Sequence, residues 1–307
     1  MAQFEIDILG CGSATPSAIH HPSCQVVNFR GRLMMIDCGE GAQVMMRKMK
    51  LSFARLSHIF ISHMHGDHVF GLPGLLSTMA LHDKQGAVDI YLPAEGLEVM
   101  QAITSYFCRE SPFEIRFHPL TGSGGEIYAD HALTVTAFPL YHRVDCYGYL
   151  LRERPKERHL RGDMVEFYNV PISRRQAIKH GEDFVTPDGI VIENARLTTD
   201  PDPSVSYAYC SDTMYDERVA EAVKGVDMLY HESTYDDAFA AQARERGHST
   251  AREAAKIARM AGAKSLLLGH YSKRYQSADL LLEQAREEFQ PVIAANEGMR
   301  IELLSSF

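Results

Sequence analysis

The stretch ISHMHGDHVFG, residues 61–71, places His63, His65, Asp67 and His68 within six positions. It follows the apolar run HIFIS and opens into a helix-like pattern, VFGLPGLLSTMALHDK. Neutral imidazole nitrogen and carboxylate oxygen are the usual zinc ligands, about four per ion at roughly 2.0–2.2 Å. In a tight turn, the i and i+2 side chains of His63 and His65 can converge on one ion, and Asp67 and His68 can turn to a second one nearby. A single histidine is more often a satisfied surface or core residue. HxHxDH at a strand end points instead to a metal site.

Four residues cannot close two coordination spheres, so further ligands are expected at other strand ends. His142 follows the alternating run LTVTAFPLY, Asp212 follows SVSYAYCS, and His270 follows KSLLLG. Ligands in these places suit an α/β protein, where sites form in the crevice beyond the strand edges. The rest of the chain keeps that rhythm. Strand patterns FEIDILG, SCQVVNF, RLMMID, VDIYLP, YGYLL and VDMLYHES are interspersed with helical ones such as GLEVMQAITSYFC and DERVAEAVKG. In TAREAAKIARMAG, Thr250 and Glu253 fit a capping box, Ala254, Ile257, Ala258 and Ala261 share one face, and Gly262 is placed to end the helix.

The 307 residues have 45% hydrophobic content and can bury a sizeable core as one domain, residues 1–307. The net charge of −9 gives no general attraction to nucleic acid or to anionic membranes. Six cysteines without CxxC spacing, an N-terminus without a leader pattern, and no long apolar span predict a cytoplasmic protein with no membrane segment. One segment breaks the α/β rhythm. From Arg152 to about Asp188 apolar residues are few, which reads as an inserted arm, 152–188. Between Arg152 and Lys179, eight basic residues (152, 154, 156, 158, 161, 174, 175, 179) face four acidic ones (153, 157, 163, 166), a local balance of +4.

With these residues assembled, the chain resembles the metallo-β-lactamase fold superfamily and, within it, the ribonuclease Z family of tRNA 3′-processing endonucleases. The resemblance runs through LGCGSATP, IDCGEGAQ, SHMHGDHVFGLPGLL, YHRVDCYGYLL, CSDT, LYHEST, GHSTAREAA and GHYSKRY. HEST at 231–234 and HST at 248–250 carry the subfamily assignment. The resemblance implies a four-layer αβ/βα sandwich with two zinc ions per subunit, one held by His63, His65 and His142, the other by Asp67, His68 and His270, with Asp212 bridging. Manganese or iron could occupy the same donors. Asp37 would support the site from behind. Asp67 would accept a proton from the attacking water. His248, oriented by Glu232, would protonate the leaving 3′-oxygen. Ser272 and Arg274 would hold a substrate phosphate. The arm, through Lys156, Arg158, Arg161, Arg174, Arg175 and Lys179, would grip precursor tRNA across a homodimer. DNA and membranes are not expected as partners.

The chain departs from the family pattern at two places. The arm reads NVPISRRQAIKHG, with Ile172 after Pro171 where many relatives have Gly-Pro, and PSAIHH stands where many have a PxKxRN loop. His20 and His21 in that loop are expected to be solvated. Two rival readings stay open. One is a phosphodiesterase of the same fold for small or cyclic substrates. The other is a catalytically silent RNA-binding scaffold, which the seven retained ligands disfavour.

Overall fold

The structure, a computed structural model, describes residues 4–15, 17–82 and 84–304. Two seven-stranded sheets form its centre. The first runs, edge to edge, Arg300–Glu302, Phe4–Gly10, Cys24–Phe29, Arg32–Ile36, Leu56–Phe60, Ala87–Pro93 and Glu114–Leu120. The second runs Val292–Ala294, Ser265–Gly269, Met228–Glu232, Ser206–Cys210, Cys146–Glu153, Leu133–Leu140 and Gly125–Ala129. In each sheet a parallel half adjoins an antiparallel half. The parallel half requires crossover connections, and helices supply several of them.

Strand periodicity explains the layering. In Arg32–Ile36, Met34 and Ile36 join the core between the sheets, while Leu33 and Met35 join the core under the helices Ala42–Lys48 and Leu72–Ala80. A strand buried on both faces reads as a continuous apolar run, as RLMMI does. The helices Arg218–Ala222, Ala251–Ala261 and Asp279–Arg286 cover the outer face of the second sheet. The result is the four-layer αβ/βα sandwich. The capping box at Thr250 and Glu253 forms, and Gly262 ends that helix in the left-handed region at φ 64°. Strands that sequence patterns did not single out lie at or near sheet edges. Glu114–Leu120 is one, where polar and half-exposed residues dilute the alternation.

Between Glu153 and Ser206 the chain leaves the sandwich as an extension of short helices and two-stranded ladders, including Gly162–Phe167, Ile172–Lys179 and Asn194–Leu197. It has its own small core of Val165, Val170, Ile178, Phe184, Ile192 and Leu197. Its ends meet, with Glu153 N donating to Val205 O at 2.9 Å and Ser204 Oγ to Arg154 O at 3.1 Å. The expected arm began at 152 and ended near 188. Arg152 and Glu153 still belong to a sandwich strand, and the extension's elements continue to Thr199. This boundary changes the charge reading, because residues 154–205 carry eight Lys or Arg against nine Asp or Glu. The acidic residues of the second half cancel the local excess.

Candidate metal centre

The side chains singled out at strand ends converge at one edge of the sandwich. His63, His65, Asp67 and His68 sit in the turn after Leu56–Phe60 and in the single-turn helix Gly66–Val69. His142, Asp212 and His270 follow Leu133–Leu140, Ser206–Cys210 and Ser265–Gly269. Potential ligand atoms of His63, His65, His142 and Asp212 lie within 4.8 Å of one another, and so do those of Asp67, His68 and His270. Asp212 turns one oxygen toward each group. Its Oδ2 is 3.6 Å from His63 Nε2 and 3.9 Å from His142 Nε2. Its Oδ1 is 3.1 Å from His270 Nε2 and 3.4 Å from His68 Nε2.

These donors fit a cation. Asp67 Oδ2, His68 Nε2, Asp212 Oδ1 and His270 Nε2 are all buried without a hydrogen-bond partner. Leaving one such atom unsatisfied costs about 1–3 kcal/mol. Four of them facing one another form a cage that positive charge would satisfy. In the other group, His65 Nδ1 lies 3.0 Å from His63 Nε2 and 3.3 Å from His142 Nε2, so three imidazole nitrogens face one point.

The electrostatics agree with this. Burial pushes the His63 imidazole well below its ordinary pKa, with the neighbouring His68 adding to the effect. Burial also lowers His65 and His142, leaving neutral nitrogens of the kind that ligate. His68 goes the other way. Burial would lower it, but the Asp67, Asp212 and Asp37 carboxylates raise it well above the usual value, which marks a place that demands positive charge.

Supporting contacts hold several of these side chains from behind. Asp37, fully buried, has a φ of 56°. Its Oδ2 accepts from His68 Nδ1 at 2.7 Å and from the Tyr209 and Ser62 hydroxyls at 2.8 and 2.9 Å. His142 Nδ1 donates to Gly247 O at 2.7 Å. A side chain at Gly247, whose φ is 79°, would begin 2.7 Å from that nitrogen. Thr234 Oγ1 lies 2.8 Å from His270 Nδ1 and donates to Glu232 Oε2 at 2.7 Å. Sequence reading took Glu232 from HEST and missed Thr234 in the same motif. It also missed Ser62, one residue before His63.

Glu232 is fully buried and accepts from His248 Nδ1 at 2.9 Å, Ser249 N at 3.0 Å and Thr213 N at 3.2 Å. Burial would lower the His248 pKa, but the Glu232 carboxylate outweighs it and raises the imidazole to about 9. His248, His65, Asp67, His142 and Asp212 line one cleft of about 530 Å³ together with Phe70 and Arg143.

Other expected residues lie elsewhere. The Arg274 guanidinium sits 3.9 Å from the Phe239 ring centroid and donates to Ser272 Oγ at 3.3 Å; neither residue lines that cleft. In the extension, Lys156 pairs with Glu153, Arg158 with Asp200, Arg161 with Asp163, Arg174 with Glu182 and Lys179 with Glu157. Arg175 has no carboxylate partner among the described residues, and its Nε is buried without a hydrogen bond. The expectation of a solvated His20 is corrected. Its side chain is 11% exposed, and its Nδ1 lies 2.9 Å from Glu297 Oε2. Glu297 Oε1 also accepts from His21 N at 2.8 Å and Cys11 N at 3.3 Å, so this carboxylate pins the loop.

Comparison with known proteins places this geometry. The family model described as Anti-Pycsar protein Apyc1 matches residues 4–104. The B. subtilis metallo-β-lactamase fold protein YhfI superposes with TM-score 0.69 at 18% identity, covering 97% of this chain and 98% of that one. The short form of human tRNase Z superposes with TM-score 0.70 at 27% identity, with the same coverage. Ribonuclease Z of Porphyromonas gingivalis W83 is 48% identical over 99% of this chain and 100% of its own length. Ribonuclease Z of Bacteroides fragilis YCH46 is 45% identical, with the same coverage. Full-length identity at this level, joined to the fold and the strand-end histidine and aspartate clusters, shows that the chain belongs to the ribonuclease Z family of the metallo-β-lactamase fold.

Proposed function

We propose that the chain is a metal-dependent endoribonuclease that removes the 3′ trailer from precursor tRNA and leaves a 3′-hydroxyl on the tRNA. The observation that carries this reading is the pair of ligand clusters bridged by Asp212, in a chain whose relatives are ribonucleases Z over their whole length. His63, His65 and His142 would hold one zinc ion, and Asp67, His68 and His270 a second, with Asp212 shared. When bound, such ions supply Lewis acidity to a phosphoryl oxygen and lower the pKa of water.

The protein's own groups do the rest. Asp67 Oδ2 belongs to the ligand cage, which leaves Oδ1 to take the proton of the attacking water. His248 carries its proton on the imidazole, held by Glu232 at Nδ1, and delivers it from Nε2 to the leaving 3′-oxygen. The His248 charge keeps Glu232 ionised, and donors from Thr213, Thr234 and Ser249 hold the carboxylate where it orients the imidazole. The extension would contact the RNA backbone through local cations, with Arg175 free of a carboxylate partner among the described residues. A homodimer would let one subunit's extension reach substrate bound by the other.

A second reading, a phosphodiesterase for small or cyclic diesters, is favoured by the extension's lack of net positive charge. Incubating the purified protein with precursor tRNA, beside a bis-nitrophenyl phosphate control, separates the two. The expected result is a cut just 3′ of the discriminator base, and a loss of roughly 10²–10⁴-fold in Asp67→Ala with the fold retained. Turnover of the small diester with no cleavage of the RNA would select the second reading.

A further inference from the structure

Phe70 immediately follows the helical turn that carries Asp67 and His68, yet its side chain is 73% exposed. Phenylalanine is among the residue types most often fully buried, and here the exposed ring stands beside a reactive cluster. The ring shares one cleft with Asp67, Asp212 and His248. Its backbone is held in place, since Phe70 N donates to Gly66 O at 2.9 Å and the adjoining His68 is clamped by Asp37. The ring also lies against Gly66, where a side chain would collide with it. Ala14 and Pro22 line the same cleft, and Glu297 holds the adjacent His20 and His21. The apolar lip is therefore preorganised, and none of these three side chains can read a base edge by hydrogen bonding.

We propose that Phe70 is the stacking platform for the nucleobase on the tRNA side of the scissile phosphodiester, with Ala14 and Pro22 completing an apolar slot. The proposal rests on the tRNA-processing reading above. His248, the group that protonates the leaving 3′-oxygen, lines the same cleft as Phe70, which brings the nucleotide that owns that oxygen into this cleft. Stacking is tolerant of sequence because every base has a π-face. That tolerance suits an enzyme acting on many tRNAs that differ at this position. Arg143, exposed and without a carboxylate partner among the described residues, lines the cleft as well and offers a cation to an adjoining phosphate.

The test is a cycle between protein and substrate. Precursor tRNA is prepared with the natural base, or with an abasic residue, at the nucleotide immediately 5′ of the cut. With wild-type protein the abasic substrate is expected to lose roughly five- to a hundredfold in kcat/KM. Phe70→Ala is expected to lose a similar factor on the natural substrate and little more on the abasic one. Phe70→Trp is expected to restore the preference for a base, and all variants should retain the metal content of the wild type. Equal abasic penalties in wild type and Phe70→Ala would overturn the platform alone. A wild-type protein that cuts no precursor tRNA would overturn the underlying reading together with it.

Discussion

Glu232 holds the His248 imidazole with one hydrogen bond and is itself held by several others, the Thr234 hydroxyl among them. It is fully buried, and its partners are His248 on one side and the Thr213, Thr234 and Ser249 backbones on the other. Burial would raise its pKa, but the His248 charge and hydrogen bond lower it, so the pair is an ion pair facing the cleft. Glu232→Gln keeps the volume and removes the charge. The variant should lose a large part of the roughly 10²–10⁴-fold that a positioned proton donor contributes, seen as a fall in kcat for precursor tRNA. It should also lose about 1–3 kcal/mol of stability, because an amide group turned toward backbone donors leaves buried groups unpaired. Unchanged kcat would remove the orienting role, and with it the case for His248 as the acid.

Among the elements, those of the extension share an apolar core separate from the sandwich. The extension's two ends adjoin, so replacing residues 155–203 by a short linker should leave the sandwich folded. Cleavage of precursor tRNA should then fall sharply, while hydrolysis of a small diester continues, as assayed side by side. Undiminished RNA cleavage would contradict a substrate-binding role. The sequence pattern located this element but misjudged its extent. Local composition marks where an apolar rhythm stops, whereas the return to the sheet is fixed by pairing between Glu153 and Val205, residues far apart in the chain. The capping box at Thr250 was readable for the opposite reason. Every group in it lies within four residues.

At the scale of the whole molecule, the candidate ligands were legible because the HxHxDH stretch, His142, Asp212 and His270 each follow an apolar run, and strands buried on both faces leave little other reason for a histidine or aspartate there. What the pattern could not reveal is how the ends meet. Asp212 facing both groups depends on the two sheets packing face to face, Thr234 behind His270 on two neighbouring parallel strands, and Glu297 beside His20 on residues far apart in the chain. No helix among the described residues is long and apolar enough to cross a membrane. The proposed reaction needs divalent cations in the two clusters. The most direct measurement removes metal by exhaustive chelation and follows cleavage of precursor tRNA while zinc is titrated back, with bound metal counted at each step. The expected result is loss of cleavage on chelation and its return as about two ions per chain are regained. Full cleavage by protein shown to be free of metal would contradict it.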